Sequence, residues 1–415
     1  MGKPLRVLVL NVDYPPDSTD TARVVQEMAQ TFARKHLVTV LAGRPFYDPS
    51  QRHPYYPFRQ ERLGNLTVER VGSTAFNRRR MLGRVSNYVS YLTLSFLRAL
   101  MAPADLVIAM TDPPLAGLVG ALVATLRRKP FLYNIRDLHP DMAVASGFVR
   151  PGAVVWLWDR MHRWVLGRAD LIVVLGEDMR ERLIQKGVPP QRVAVVRNGA
   201  PLTEPVGAGP HPTIDLVRGG FPFSVLHAGN LGHAGAWDTI LEAASRLRDE
   251  PVGFVFIGDG ASRQRLERLA SNLPNVRFMP FRPPEEIPLV LAAPDLHVVT
   301  IRRGLEGLLL PGKLYPILAA GRPVLAITPE ASDVARIIRE YECGLVADPD
   351  DPESVASAVF WASTHPEEVK GMGQRARQAA RNFDRAVLLQ QFVDLSEKVA
   401  GGTIDGAAGR QYRTN

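Results

Sequence analysis

The sequence of 415 residues contains a single cysteine, Cys343, so the chain cannot form an internal disulfide bond. A membrane-spanning run is also lacking. The stretch from residue 78 to 101 is rich in Leu, Tyr and Phe, but Arg84, Asn87 and Arg98 interrupt it, whereas a spanning helix needs about 20 mostly apolar residues. No basic and then apolar export signal precedes the first apolar run. We therefore expect the protein to lie in the cytoplasm.

The sequence also lacks a metal-binding motif, because no group of histidines and cysteines has the spacing of metal ligands. Asp348 and Asp350 form an Asp-X-Asp pair, which can bind a divalent metal, but they lead directly into Asp351, Pro352 and Glu353. An aspartate followed by proline is typical of a helix start, with the aspartate as the N-cap. We predict a cap here and no metal.

Charge and composition narrow the class of protein. An apolar content of 46% with 22% charged residues is that of an ordinary globular protein, which excludes disordered and fibrous classes. The 50 basic residues exceed the 42 acidic ones and give a net charge of +8. This excess suits nucleic acid, an anionic membrane surface or a phosphate-bearing substrate, and charge alone does not choose among them.

The stretch that begins at Arg78, Arg79 and Arg80 supports two interpretations. Its basic start and apolar remainder fit an amphipathic helix that lies on a membrane surface. The same features fit equally a helix of the protein core with a solvated basic end. The length and charge pattern of the stretch do not distinguish these two interpretations.

Short apolar runs alternate with helical patterns along the chain, which is typical of α/β units with a parallel sheet covered by helices. Within residues 22–34, Val25, Met28, Ala29 and Phe32 recur at the spacing of one helix face. In the first half the predicted strands are 5–10, 38–41, 106–110, 131–135, 171–175 and 193–196.

Residues 198–221 interrupt this pattern, because they are rich in Gly and Pro and poor in periodic apolar residues. A second series of predicted strands follows at 223–227, 254–257, 276–279, 296–300, 323–327 and 345–347. We expect two Rossmann-like domains at 1–205 and 206–385, a helix at 386–400 that packs back on the first domain, and a tail at 401–415. Ligands of such sheets bind at the carboxyl ends of the strands, so the expected active site is a central cleft that the two domains face.

The segment from Gly304 to Pro323 is the most informative for chemistry. It follows a predicted strand, and Pro311 and Gly312 suit the opening of a helix, whose free N–H groups attract phosphate. Lys313 adds a fixed positive charge, so the segment fits a diphosphate group. A plain strand, loop and helix with a solvated Lys313 is an equal alternative on this segment alone.

Two shorter glycine-containing loops follow strands of the second series. Gly229, Asn230 and Gly232 let the backbone come close to a phosphate, and His233 is near enough to reach it. Gly258 begins a Gly-Asp-Gly sequence, which lacks the third glycine of a dinucleotide-binding motif. Each loop by itself is also compatible with a simple tight turn.

In the first half, four ionisable residues occupy six positions directly after the strand at 131–135. They are Arg136, Asp137, His139 and Asp141. Such a density of charge at a strand end points to a functional site. His139 is placed to contact a phosphate or a reacting hydroxyl, and Asp137 to orient it. The alternative is a helix cap at Asp141 with an exposed His139.

Together these stretches resemble the family 4 retaining glycosyltransferases, which have the GT-B fold. The resemblance runs from Tyr-Pro-Pro-Asp at 14–17 to the last helix, near residue 399. It rests on the order and spacing of ADLIVVLG at 169–176, VVRNG at 195–199, AGNLG at 228–232, FIGDG at 256–260 and AAGRPV at 319–324. The resemblance implies transfer of a sugar from a nucleotide diphosphate donor with retained anomeric configuration, without metal or cofactor.

The roles of the family carry over to matching residues. Lys313 resembles the diphosphate lysine, residues 229–232 resemble the loop that approaches the phosphates, and His233 stands where many members have a basic residue. The backbone near Phe281 and Arg282 resembles the segment that holds the base. With Gly258 and Gly312, these residues form the expected donor site.

Two departures from the family pattern affect the site. The paired glutamates would fall on Leu308 and Pro316, which cannot bond a hydroxyl group, so Glu306 is the nearest candidate to take over one role. The Gly-Gly pair after the first strand is missing, and Asp20 lies near that place. The predicted catalytic residues are His139, Asp137 and Glu306, and the predicted acceptor-side residues are Asp17, Asp20, Arg136 and Asp141.

The resemblance also implies partners. We expect a nucleotide sugar, most simply a UDP-sugar, and an acceptor that is a glycan, a lipid-linked sugar or a small molecule, but no nucleic acid. The Pro-Gly-Lys-Leu-Tyr variant is similar to a subgroup associated with bacterial surface polysaccharide or related glycoconjugates, which suits peripheral contact with the inner face of the cell membrane near Arg78. The alternatives are a sugar-nucleotide epimerase, an inverting GT-B enzyme and a non-catalytic sugar-binding protein; the last would be expected to carry an export signal.

Overall fold

The computed structural model describes residues 3–17, 19–45, 58–74, 76, 81–202, 204, 206 and 211–402. These residues form two α/β units. The N-terminal unit comprises Met1–Leu175, Met179–Val196 and Leu388–Asn415, and the C-terminal unit comprises Gly176–Asp178 and Arg197–Val387. The chain thus enters the second unit earlier than the expected border at 205/206 and returns to the first near the start of the expected last helix.

The N-terminal unit is built on one sheet, which has eight strands within the described ranges. The strands are β1 (Arg6–Leu10), β2 (Leu37–Ala42), β3 (Phe58–Leu63), β4 (Leu66–Val71), β5 (Leu106–Ala109), β6 (Phe131–Asn134), β7 (Leu171–Val174) and β8 (Val193–Val195). The helices are α1 (Asp20–Ala33), α2 (Met81–Met101), α3 (Ala116–Leu126), α4 (Asp141–Ala145), α5 (Ala153–Arg168) and α6 (Glu177–Gln185). The strand order is β3-β4-β2-β1-β5-β6-β7-β8.

Burial explains why most of these strands are visible in the sequence. β5, β6 and β7 are buried along their whole length, as expected of parallel strands covered on both faces, and so they read as unbroken apolar runs. The hairpin of β3 and β4 is absent from the prediction. β3 is exposed and carries charged residues at the edge of the sheet, where no apolar run is needed, and it pairs antiparallel with β4.

The C-terminal unit has a sheet of six parallel strands in the described part of the chain. The strands are β9 (Phe223–Ala228), β10 (Val252–Ile257), β11 (Val276–Met279), β12 (Leu296–Thr300), β13 (Val324–Ile327) and β14 (Gly344–Ala347). The helices are α7 (Pro212–Arg218), α8 (Trp237–Arg246), α9 (Arg263–Leu269), α10 (Ile287–Ala292), α11 (Leu314–Ala319), α12 (Asp333–Glu340), α13 (Pro352–Thr364) and α14 (Pro366–Ala380). The strand order is β11-β10-β9-β12-β13-β14, so the chain reverses direction across the sheet between β9 and β12. Ligands of such sheets bind at the carboxyl ends of the strands beside that reversal.

All predicted strands of both units are present, with ends that shift by one or two residues. The interval 198–221, which interrupts the series of strands, contains the short helix α7, and α7 ends at Gly219 in a left-handed conformation. One local expectation was wrong. The helix expected to open at Pro311 and Gly312 begins at Leu314 instead, with Lys313 at its N-cap, so those two residues lie in the preceding loop.

The last helix, α15 (Arg385–Gly401), packs on α1 in the core of the N-terminal unit. The ring of Phe392 meets that of Phe32 edge-on, with centroids 6.1 Å apart. Glu397 Oε1 lies 2.7 Å from Lys35 Nζ and 2.8 Å from His36 Nε2. Apolar contact and an ionic cluster together attach the end of the chain to this unit.

None of the described helices is long and apolar enough to cross a bilayer, including α2 with its 21 residues. The basic residues Arg78, Arg79 and Arg80 lie outside the described residues.

Candidate functional site

Glycines at the carboxyl ends of β9 and β10 bring the backbone of two loops into close approach. Gly229 and Gly258 have φ angles of 141° and 143°, which side-chain-bearing residues rarely adopt. A Cβ added to Gly258 would lie 1.9 Å from the carbonyl oxygen of Gly229. Only glycine fits between the two strand ends, so the two loops pack closely against each other at this edge of the sheet.

Lys313 reaches the same place from the loop after β12. Its Nζ lies 2.9 Å from Nε2 of His227 and 2.9 Å from where a Cβ of Gly229 would be. Burial, with a smaller effect from the charge of Lys313, holds the pKa of His227 well below its usual range. His227 is therefore a neutral acceptor, and Lys313 donates to it. The structure brings together Gly229 and Lys313, which are far apart in the sequence.

The other predicted donor residues lie in loops of the same unit. Asn230 and His233 are exposed in the loop after β9, and the carbonyl of Gly232 accepts a hydrogen bond from the Trp237 indole at 2.6 Å, which fixes the loop to α8. The exposed ring of Phe281 lies 3.3 Å from the position of a Gly258 Cβ.

Arg282, the next residue along, is tied back to its own segment. Its guanidinium donates to Glu286 Oε2 with Nε at 2.8 Å. The backbone of this loop, with the ring of Phe281, thus remains the part that faces Gly258. Gly312 lies near the side-chain amide of Asn198. The Asn198 Nδ2 atom is 3.7 Å from the position that a Cβ of Gly312 would occupy.

Glu306 lies in the loop between β12 and Lys313. Its Oε2 accepts a hydrogen bond from the backbone N–H of Gly304 at 2.7 Å. Leu308, where the family pattern has a glutamate, is buried in the protein interior. The side chain of Glu306, by contrast, is only half-buried.

A buried ionic network supports the same loop, and sequence reasoning did not identify it. Arg197 donates to both carboxylate oxygens of Asp333, at 3.2 and 3.0 Å, and Asp333 is fully buried. Asp178 Oδ2 accepts from the backbone N–H groups of Gly307 and Asp333 at 3.1 and 3.0 Å. Arg197 belongs to the Val-Arg-Asn-Gly stretch, which is the part of the family resemblance that marks one member of this network. The network fixes the backbone of the loop that carries Glu306 and Lys313.

In the N-terminal unit, Asp137 and His139 follow β6 as an interacting pair. The His139 ring stacks on Trp158 of α5, with centroids 5.5 Å apart and an angle of 16° between the planes. Burial raises the pKa of Asp137 and lowers that of His139, while the attraction between the two partly opposes both shifts. The His139 Nδ1 is buried and has no hydrogen-bond partner in the described ranges. The imidazole is therefore neutral at pH 7.

The alternative reading of this segment, with a cap at Asp141 and an exposed His139, was wrong. The N-cap of α4 is Pro140, and the Asp141 carboxylate instead accepts from Lys186 Nζ at 2.6 Å. His139 is covered by the indole of Trp158, so it is not an exposed ring.

The remaining acceptor-side candidates lie in different surroundings. Asp17 is buried in the loop after β1, whereas Asp20 is exposed in the first turn of α1, whose N-cap is Thr19. The backbone N–H of Arg136 donates to Thr111 Oγ1 at 3.1 Å. A further residue, Asp13, was missed: it is buried and accepts from Thr19 Oγ1 at 3.2 Å. Its signal was a carboxylate three residues after the end of an apolar strand.

The aspartates at 348–351 have local roles. Asp351 is the N-cap of α13, with Pro352 in the first turn, as predicted. Arg303 binds both Asp348, at 2.7 Å, and Asp350. In the part of the chain that the structure describes, no group of three or more His, Cys, Asp or Glu residues is arranged to hold a metal ion.

Comparison with known proteins finds a family match in each of the two units. Residues 20–199 match the family model of the glycosyl transferase 4-like domain, and residues 222–364 match that of the glycosyl transferases group 1. The putative colanic acid biosynthesis glycosyl transferase WcaI of Escherichia coli K12 is 25% identical over 94% of this chain and 99% of its own. The probable glycosyltransferase WbjE of Pseudomonas aeruginosa is 27% identical over 68% of this chain and 72% of its own.

Solved structures share the fold at low sequence identity. Sucrose-phosphate synthase from Thermosynechococcus elongatus superimposes with a TM-score of 0.74 at 16% identity, over 96% of this chain and all (100%) of that one. Anabaena HepE in complex with UDP-glucose has a TM-score of 0.68 at 18% identity, over 95% of this chain and 100% of that chain. The protein, with its two Rossmann-like units, therefore has the GT-B fold.

Proposed function

Because this chain belongs to the bacterial glycosyltransferases of the family 4 type, with a family match in each of its two units, we propose that it transfers a sugar from a UDP-sugar to an acceptor hydroxyl with retention of the anomeric configuration. The observation that carries the proposal is the position of Lys313 Nζ beside Gly229 at the carboxyl edge of the sheet. A fixed cation beside a glycine at a strand end is an environment that suits a diphosphate.

The electrostatics of the C-terminal unit support departure of a nucleoside diphosphate. Negative charge grows on the diphosphate as the glycosidic bond breaks, and a preorganised cation stabilises that charge more than it stabilises the ground state. The buried, neutral His227 accepts a hydrogen bond from Lys313 and so orients its charge without cancelling it. We propose that the reaction needs neither a metal nor a cofactor.

In the N-terminal unit, Asp137 and His139 are the groups suited to the acceptor. A neutral imidazole accepts a proton or hydrogen bond from a hydroxyl, and a neighbouring carboxylate stabilises the imidazolium that forms. Packing on Trp158 fixes the ring plane. The acceptor hydroxyl then attacks the same face of the sugar from which the diphosphate leaves, and no enzymic nucleophile is assigned.

The names of the relatives suggest where the reaction belongs. WcaI and WbjE are described as glycosyltransferases, the first in colanic acid biosynthesis, and HepE was crystallised with UDP-glucose. We propose by similarity that the acceptor is a growing surface glycan carried on a lipid and that the donor base is uracil.

A panel of UDP, GDP and ADP tests the donor assignment in the presence of EDTA. We expect UDP at 100 times its Kd to stabilise the protein by about 2.7 kcal/mol, because a ligand selective for the folded state must raise its stability. Melting temperature is the readout.

UDP-glucose and UDP-galactose are then incubated with acceptor, and NMR identifies the anomer formed. No response to any nucleotide would refute the proposal, an inverted anomer would refute retention, and turnover restored only by magnesium would refute metal independence.

Glu306 is the candidate for contact with the transferred sugar. Replacement of Glu306 by glutamine removes one charged acceptor, and we expect transfer to fall by roughly 2- to 12-fold, the effect of one ordinary hydrogen bond. UDP affinity should change by less than about 0.5 kcal/mol, because a carboxylate is unsuited to hold phosphate. Turnover and calorimetric UDP binding are compared with those of Glu367→Gln, a change at an exposed carboxylate of α14. An equal loss of UDP affinity would move Glu306 to the ribose.

A further inference from the structure

Three helices of the N-terminal unit, α2, α3 and α5, lie side by side, with α3 in contact with both of the others. Arg127 Nη1, just after α3, donates to the Ala99 carbonyl of α2 at 3.1 Å. Arg168 Nε of α5 donates to Thr125 Oγ1 of α3 at 2.8 Å. The carboxyl ends of the three helices are thus joined by arginine hydrogen bonds. We call the solvent-exposed side of this layer the helical face.

The helical face is apolar where a surface helix is normally polar. Five large apolar side chains of α2 are between 48% and 82% exposed: Leu82, Val85, Val89, Leu97 and Met101. They recur at intervals of three, four and eight residues, so they form one stripe along the helix. A surface helix usually places polar residues on this side. The stripe continues on α3, where Leu122 and Leu126 are exposed.

Helix α5 adds aromatic and basic side chains to the helical face. Trp156 is 66% exposed, and Leu157 and Trp164 are exposed with it. Arg160 is also exposed, and its guanidinium lies 6.0 Å from the centre of the Trp156 ring. Alternating indole and guanidinium groups are typical of protein surfaces that meet the headgroup region of a bilayer.

The charge of the three helices has one dominant sign. Their sequences contain five arginines and a single carboxylate, Asp159. That carboxylate is already bound by Arg163 at 2.7 Å and by Lys186 at 3.1 Å. Arg98 and Arg168 are paired with Glu69 and Asp170, which lie outside the three helices. Arg84 and Arg160 therefore supply the positive charge of the helical face, and the complement of this charge and of the apolar side chains is an anionic lipid surface.

Helix α5 connects the helical face to Asp137 and His139, the residues proposed to contact the acceptor. Trp158 of this helix stacks on His139, while Trp156 and Leu157 next to it are exposed. We propose that the helical face docks the protein on an anionic phospholipid bilayer, with α2, α3 and α5 lying along the surface and Trp156 and Trp164 in the headgroup region. This deepens the proposed function, on which the lipid-linked acceptor rests, because docking brings His139 to the surface that holds such an acceptor.

Vesicle co-sedimentation with the full chain tests the docking. Vesicles of phosphatidylethanolamine with phosphatidylglycerol are compared with vesicles of phosphatidylcholine alone. We expect binding to the anionic vesicles that weakens with added salt, and at least a tenfold loss of affinity in the double variant Trp156→Ser, Trp164→Ser. Arg160→Glu should weaken binding to the anionic vesicles selectively. The matched controls are Phe360→Ser and Arg248→Glu, at exposed positions of the C-terminal unit.

Melting temperature and UDP-induced stabilisation are measured on every variant, so that a folding defect is recognised. If the double variant loses stability, Leu82→Ser with Val89→Ser on α2 replaces it, and the same tenfold loss is expected. Equal binding to both vesicle types, or no effect of the variants, would overturn the proposal. A concentration-dependent dimer that the tryptophan variants abolish would also overturn it, since the helical face would then join two copies. Vesicle binding by a protein that fails to bind nucleotides would support the docking and overturn only the proposed donor.

Discussion

Replacement of Lys313 by alanine should weaken UDP binding by roughly 10- to 150-fold, which corresponds to the 1.5–3 kcal/mol of a charge-assisted hydrogen bond. Lys313 Nζ lies 2.9 Å from the Cβ position of Gly229, so it places a cation beside the carboxyl end of β9. Transfer should slow by at least as much, because the lysine also stabilises charge on the departing diphosphate. Calorimetric UDP binding and turnover measure the two effects.

The matched control for this change is Lys370→Ala, which removes an exposed lysine of α14 in the same unit and should leave both quantities unchanged. Lys313→Arg separates charge from shape. The guanidinium keeps the charge, but it does not fit the short distance to His227, so partial UDP binding with slow transfer is expected. Unaltered UDP affinity in Lys313→Ala would show that the lysine has no part in holding the diphosphate.

The pairing of Gly229 with Lys313 was predictable from the sequence because both follow apolar strands. Parallel strands end at the same edge of a sheet, so their carboxyl-terminal loops meet there whatever their separation in the chain. The strands themselves were predictable because burial on both faces demands unbroken apolar runs. The hairpin of β3 and β4 was not predictable in this way. Its edge strand β3 is exposed and therefore tolerates polar residues such as Arg59, Gln60 and Glu61.

The supporting residues of the site were not predictable by the same reasoning. Arg197 and Asp333 are 136 positions apart and neither belongs to a periodic pattern, so nothing local marks them as a buried pair. His227 lies inside a strand, where the sequence shows only that one polar residue interrupts an apolar run. Such residues are identified by their partners, which only the fold brings together. The reversal of strand order between β9 and β12 likewise depends on tertiary packing.

We propose that Glu306 takes over one role of the paired family glutamates, whose places are occupied by Leu308 and Pro316. A carboxylate at Leu308 would be buried in an apolar environment at a large desolvation cost. Two residues earlier, Glu306 is half-buried and accepts from the backbone N–H of Gly304, so its carboxylate keeps a polar partner. The acidic group therefore lies at a different point of the same loop, which Asp178 fixes through Gly307.

Replacement of His139 by alanine should lower transfer by roughly 10²- to 10⁴-fold, the usual contribution of one positioned acid or base. UDP affinity should stay within about twofold, because His139 belongs to the N-terminal unit and the nucleotide residues to the C-terminal one. The matched control is His365→Ala, which removes another imidazole that stacks on an indole, that of Trp361 at 4.5 Å, and should leave transfer unchanged. Loss of UDP binding in step with turnover would contradict the acceptor role.

The pH dependence of turnover gives an independent test of His139. Burial lowers its pKa and the carboxylates of Asp137 and Asp141 only partly oppose this, so the ring stays neutral down to below the ordinary histidine value of about 6.5. Transfer by the wild type should be level from neutral to mildly alkaline pH and should fall with decreasing pH only below that value, where the ring takes up a proton and can no longer accept one. The residual activity of His139→Ala should lack this acidic fall. An acidic limb centred above pH 7, or one that persists unchanged in the variant, would assign the titration to a different group.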